Sequence, residues 1–175
     1  MMYRINENAK IKGFITNLGK YNEMELVGEW ISFPITNEEL EEVKKEIGID
    51  GKYYEEYFFT DWDIDINYCA WSDEFINIEE MNEMAEQIED FDSYDFAKLE
   101  ALIEAQCYTI DEALNNMDRA EFYEGITLED YAYNYIEECY NLPEFALRYF
   151  DYEAFARDLS FGGYTETENG VLRIY

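Results

Sequence analysis

Between Lys52 and Lys98 the chain runs for 45 residues, Tyr53 to Ala97, without a lysine or an arginine, yet it places fifteen carboxylates there among tyrosines, phenylalanines and tryptophans. Such a stretch folds only if each helix and strand sorts its apolar residues to one side and its acids to the other, because an unpaired carboxylate must stay in water. The whole chain of 175 residues carries 42 Asp and Glu against 12 Lys and Arg, a formal net charge of -30, with no histidine. Self-repulsion of that size works against a compact state. The apolar fraction of 48% and the aromatic fraction of 18%, with 17 Tyr, 12 Phe and 3 Trp, work for it and set the chain apart from acidic tails that are poor in aromatics. A folded protein with a real core is expected.

The three cysteines, Cys69, Cys107 and Cys139, are odd in number and widely spaced, as neither a disulfide framework nor a CxxC pair would be. They read as free thiols in a reducing compartment. The opening residues MMYRINENAK lack the apolar core of a signal peptide, and no apolar run has membrane-spanning length, so a soluble, cytoplasmic protein is expected. Direct binding to nucleic acid or to an anionic membrane is disfavoured, since those partners are themselves negative.

Charge divides the chain into three blocks. Residues 1–60 hold 12 acids and 7 bases, residues 61–113 hold 17 and 1, and residues 114–175 hold 13 and 4. In the first block Lys12 to Asn17 and Glu25 to Phe33 read as strands joined by the turn-like Gly19-Lys20-Tyr21-Asn22, with Pro34 ending the second. Asn37 reads as the cap of a helix whose Leu40, Val43 and Ile47 recur at helical spacing before Gly48, and Tyr54 to Trp62 as a further strand. In the middle block Asn77-Ile78-Glu79-Glu80 resembles a capping box. Ile78, Met81, Ala85 and Ile88 then share one helical face, with Glu79, Glu83, Glu86 and Asp90 on the opposite one. Helices are predicted from Tyr94 to Ala105 and from Ile110 to Met117. The last block gives a short strand at Ala120 to Tyr123, a helix opened by Thr127 and running to Cys139, and a helix from Pro143 to Leu159. Strands at Tyr164 to Glu168 and Val171 to Tyr175 flank Asn169-Gly170, a hairpin signal.

No constellation for chemistry stands out. The lack of histidine excludes Ser/His and Cys/His nucleophiles and histidine-containing zinc sites, and neither a glycine-rich phosphate loop nor a GxSxG elbow is present. Asp63, Asp65, Asn67 and Glu74 fall at positions 1, 3, 5 and 12 of a calcium-loop spacing, but position 6 is Tyr68, where the sharp turn needs glycine. Asp61, Asp63 and Asp65 on one side of a strand end is the better reading. No catalytic residue, metal or cofactor is expected.

What remains is a surface. Glu79, Glu83, Glu86 and Asp90 on one helical face give one charge per about 5.5 Å of axis, against one per about 1.7 Å for duplex DNA, so several such elements side by side are needed to match it. At two phosphates per base pair the 42 carboxylates equal the charge of about 21 base pairs. The absence of interleaved Lys and Arg separates this block from an ordinary solvated face, which mixes signs. The acids assigned to a DNA-like surface are those of residues 61–113: Asp61, Asp63, Asp65, Asp73, Glu74, Glu79, Glu80, Glu83, Glu86, Glu89, Asp90, Asp92, Asp95, Glu100, Glu104, Asp111 and Glu112.

Two segments also bring a family into view. Thr16-Asn17-Leu18-Gly19-Lys20-Tyr21-Asn22, followed by Leu26-Val27-Gly28-Glu29-Trp30, and the later Asp151-Tyr152-Glu153-Ala154-Phe155-Ala156-Arg157-Asp158-Leu159 closely resemble the ArdA antirestriction proteins of conjugative transposons and plasmids. The family-motif residues are Asp151, Tyr152, Arg157 and Asp158. The resemblance implies an α+β protein, elongated, with three small domains in series: an α+β domain at 12–70, an acidic helical domain at 71–118 and a C-terminal α+β domain at 119–175; the N-terminal extension at 1–11 departs from the family's usual start. It further implies a non-enzymatic homodimer whose acidic surface mimics bent B-form DNA and occupies the DNA-binding groove of type I restriction–modification enzymes, blocking restriction and modification of incoming DNA. An acidic chaperone, or an antagonist of basic nucleic-acid-binding proteins, is the rival that the charge alone permits.

Overall fold

The computed structural model describes residues 6–64, 66 and 77–175. The chain groups into two compact units, one up to Asp90 and one from Phe91 to Tyr175. Each is a mixed α/β unit built on a three-stranded antiparallel sheet.

In the first unit strands β1 (Ile11–Asn17), β2 (Gly28–Phe33) and β3 (Tyr57–Ile64) pair in the order β2-β1-β3. Ile11 and Ile15 of β1, each two residues from Gly13, place their side chains in the core with Ile31, Phe33 and Phe59. Pairing between β1 and β3 shifts register between Phe14 and Ile15, so Thr60 is an extra residue on β3. That bulge matters for charge. It brings Phe59 and Trp62, three residues apart, onto the same face, where their rings stack at 4.5 Å, and it leaves Asp61 and Asp63 exposed. Gly13 lies beneath this pair, and a Cβ there would sit 2.8 Å from both rings. Helix α2 (Asn37–Glu46) adds Leu40, Val43 and Ile47 to the core, and α3 (Ile78–Gln87) packs on β2.

The motif around Asn17 folds as a short helix, α1 (Leu18–Asn22), where a turn was expected from Gly19 to Asn22. The reason is local. Asn17 caps it by accepting a hydrogen bond from the Lys20 N–H, and the buried side chain's Nδ2 donates to the Ile47 carbonyl at 3.0 Å, tying α1 to the end of α2. The cap of α2 is Thr36, one residue before the expected Asn37, in a reciprocal capping box with Glu39.

In the second unit α4 (Ser93–Gln106) is followed by α5 (Ile110–Asn116), which a short 3-10 turn at Met117–Arg119 joins to β4 (Ala120–Glu124). Helices α6 (Leu128–Cys139), α7 (Glu144–Leu147) and α8 (Tyr152–Ser160) follow, then the hairpin β5 (Tyr164–Thr167) and β6 (Gly170–Ile174). The sheet order is β4-β6-β5. Helix α4 packs on all three strands and α6 packs on α8, with Leu128, Tyr131, Ala132, Ala156, Tyr164 and Val171 forming a core.

Two expectations need correcting here. The single helix expected from Pro143 to Leu159 is two helices, because the Asp151 side chain accepts from the Ala154 N–H and starts a new one at Tyr152. The hairpin turn is Glu168-Asn169, since Thr167 pairs with Gly170. Gly170 has φ +147, and a Cβ on it would collide with the Tyr123 carbonyl of β4, so the glycine answers to a neighbouring strand and not to the turn.

Candidate functional site

The acids split into those that face water unengaged and those that hold the backbone together. On α3 the apolar residues Met81, Ala85 and Ile88 are buried, while Glu79, Glu80, Glu83, Glu86, Glu89 and Asp90 are exposed. At 100° per residue Glu79, Glu83 and Glu86 lie within about 60° of one another on one face of the helix. The helix ends at Gln87 with Ile88 as its cap, so Glu89 and Asp90 continue the charge in the following turn, and the helical stripe itself is shorter than expected. Asn77 caps the start, accepting from the Glu79 N–H at 2.9 Å. Negative Glu79 and Glu80 in the first turn also complement the positive end of the helix dipole.

Asp61 and Asp63 are exposed on β3, where Asp63 pairs with Lys12 at 3.1 Å and Asp61 accepts from the Trp62 N–H. Asp65, Asp73 and Glu74, with most of the calcium-like spacing, lie outside the described residues. No group of three or more His, Cys, Asp or Glu that could hold a metal ion occurs among the described residues. A surface depression of 620 Å³ has a rim of mixed sign formed by Glu41, Lys44, Lys45, Asp50 and Glu55.

The remaining acids of the set have structural partners. Asp92 and Asp95 form the capping box of α4, and Glu112 forms that of α5 with Thr109. Asp111 is exposed and its carbonyl accepts from Asn115 Nδ2. Glu100 accepts from Asn169 Nδ2 at 2.7 Å, and Glu104 from the Glu168 N–H at 3.0 Å, so two carboxylates of α4 hold the tip of the β5–β6 hairpin. Outside the set, Asp130 closes the capping box of α6, and the Thr127 hydroxyl, then the Thr127 N–H, hold its carboxyl below the usual aspartate range. Composition placed all seventeen acids in one class; hydrogen bonding separates them.

Two of the four family-motif residues, Asp151 and Tyr152, hold the fold. Asp151 caps α8, Tyr152 packs its ring 5.1 Å from Tyr133 and 4.9 Å from Phe150, and Arg157 and Asp158 face solvent in the last turns. Sequence reasoning missed Asn82, whose side chain joins α3 to the chain leaving β2. The available signal was an asparagine inside a helix, a residue that disfavours that position unless its amide has a partner.

No helix among the described residues is long and apolar enough to cross a membrane. No curated protein matches the chain. The family profile described as Antirestriction protein (ArdA) matches residues 13–173, nearly the whole chain, and includes both segments that carry the resemblance. With Asn17 and Asp151, one from each segment that carries the resemblance, capping helices of the scaffold that bears these exposed acids, the chain thus belongs to the ArdA antirestriction family.

Proposed function

We propose that this protein inhibits without catalysis, by presenting a DNA-like array of carboxylates that occupies the DNA-binding groove of a type I restriction–modification enzyme. The observation that carries the reading is the division of charge between the units. The first unit has 23 acids against 7 bases and the second 19 against 5, so a strong negative field belongs to both and not to one tail or helix. Several of the few cations are engaged locally: Lys20 with Glu23 and Glu25, Lys44 with Glu41, Arg173 with Glu121. A groove lined with Lys and Arg releases counterions to such an array as it would to phosphates, while the array offers neither a base to flip nor a backbone to cut.

The array acts as a homodimer. In the second unit Phe145 and Tyr149 are 75% and 77% exposed and Phe161 is 84% exposed, apolar surface that a second copy would cover. Two copies would carry the charge of about 42 base pairs.

The deciding experiment is displacement of DNA from a purified type I methyltransferase complex, with sedimentation of the inhibitor alone alongside. Displacement at or below micromolar protein, weakening as salt rises, is expected. Failure to displace DNA at micromolar concentration overturns the reading. Equal binding to unrelated basic proteins would favour the acidic-chaperone alternative.

A further inference from the structure

We propose that Asn82 is a positioning residue for recognition: its side-chain amide fixes the rotation of α3 and therefore the direction in which Glu79, Glu83 and Glu86 project. The proposal rests on the DNA-mimic reading above. Asn82 Oδ1 accepts from the Ile35 N–H at 2.8 Å, and Asn82 Nδ2 donates to the Ile35 carbonyl at 2.8 Å. The amide thus bonds a buried residue on the link between β2 and α2 as a neighbouring strand would, satisfying both of its backbone groups.

The apolar contacts of α3 set only its coarse rotation. Met81, Ala85 and Ile88 turn one face of the helix to the core, but apolar burial is non-directional and leaves a range of angles open. A two-point hydrogen bond is directional. Asn82 sits about 60° from Glu79 and about 40° from Glu86 around the axis, at the border of the acidic face, so a turn of the helix that breaks its bonds swings the stripe by a similar angle.

Asn82→Asp separates position from charge. It adds one negative charge to the stripe, which a purely summed field would welcome. However, aspartate cannot donate to the Ile35 carbonyl, and its carboxylate would face that oxygen at hydrogen-bonding distance. Positioning therefore predicts a weaker inhibitor that is more highly charged.

The test uses the full chain in the DNA-displacement assay at several salt concentrations, comparing the unmodified protein, Asn82→Asp, Asn82→Ala and Glu83→Gln. Asn82→Asp is expected to need about 10-fold more protein for half-displacement, a change of about 1.4 kcal/mol, while Glu83→Gln needs less than about 5-fold more. The salt slope should fall further for both Asn82 variants than for Glu83→Gln, although neither removes a carboxylate. That slope, measured at equal folded fraction by circular dichroism, is what a loss of stability alone would not move. If Asn82→Asp does not fold, Asn82→Ala carries the same expectation. Inhibition by either folded Asn82 variant with an unchanged slope overturns the proposal, whereas failure of the unmodified protein to displace DNA overturns the underlying reading instead.

Discussion

The Glu104 carboxylate accepts a hydrogen bond from the Glu168 backbone N–H at 3.0 Å, so an acid from the densest acidic block secures the turn of the terminal hairpin against α4. Its neighbour Glu100, one helical turn earlier, does the same for the Asn169 side chain at 2.7 Å. Negative charge and fold stability are therefore coupled at α4 in a way that they are not at α3. Glu104→Ala should destabilise the protein by about 1 kcal/mol, the usual net worth of such a bond. Glu104→Gln keeps the acceptor and removes the charge, so its urea midpoint should stay closer to that of the unmodified protein. Equal midpoints for all three proteins would show that the bond contributes nothing.

Met24 is 97% exposed and holds φ +66, a left-handed conformation that disfavours any residue with a Cβ. The conformation is imposed by the tight loop around it, in which the Glu23 N–H bonds to the Gly19 and Lys20 carbonyls, the Met24 N–H to the Tyr21 carbonyl and the Glu25 N–H to the Lys20 carbonyl. Met24→Gly relieves the strain and loses no packing, against a smaller cost in unfolded-chain entropy. Thermal unfolding should shift upward, by an amount equivalent to about 0.5–1 kcal/mol. A lower midpoint would mean that the exposed side chain contributes contacts that the fold does not account for.

The legibility of this protein in its sequence followed the kind of signal. Periodicity located the buried faces of α2 and α3 because Leu40, Val43 and Ile47, or Met81, Ala85 and Ile88, answer to one geometry wherever the helix docks. Capping residues located the starts of α2, α3 and α6 to within a residue, whereas Asn17 and Asp151, the caps of α1 and α8, did not mark theirs. What sequence could not give was the destination of polar side chains across many residues: Glu104 to Glu168, Glu100 to Asn169, and Asn82 to Ile35 are pairings between distant segments with no periodic trace. The bulge at Thr60 escaped for the same reason, since its effect on Phe59 and Trp62 depends on register with β1. Composition changes at residues 61 and 113, whereas packing changes after Asp90, because acidity is a property of surfaces and a packing unit is a property of cores.

Tyr131 and Tyr164 are buried beside each other, and the Tyr131 hydroxyl donates to that of Tyr164 at 3.2 Å. Burial pushes both phenols up to about 12 from the ordinary 10. Because the folded values lie above the unfolded ones through penalising the phenolate, the native state is unaffected below pH 10 and loses stability as pH rises from there towards 12. The alkaline unfolding midpoint should therefore fall in that window and move upward in Tyr164→Phe, which removes one ionisable group at the cost of one hydrogen bond. Phenolate absorbance from these two residues that develops well before the circular dichroism changes would contradict the assignment.

The final expectation concerns how inhibition is distributed over the stripe on α3. Glu79, Glu83 and Glu86 are exposed, share a face and point away from the buried Met81, Ala85 and Ile88, so replacing them with glutamine leaves the core untouched. An exposed charge pair contributes only about 0–1 kcal/mol, so Glu83→Gln alone should weaken inhibition by less than about 5-fold. Adding Glu79→Gln, Glu86→Gln and Asp90→Asn in turn should weaken it progressively, each step lowering the salt slope by roughly the same increment, because each carboxylate displaces its own share of counterions from a basic groove. Urea midpoints should stay level or rise slightly at the Glu83, Glu86 and Asp90 steps as like-charge repulsion is relieved, and fall slightly at the Glu79 step, which gives up a favourable charge at the start of the helix. Abolition of inhibition by a single one of these substitutions, in a variant that remains folded, would place recognition at a discrete site and remove the distributed field as its cause.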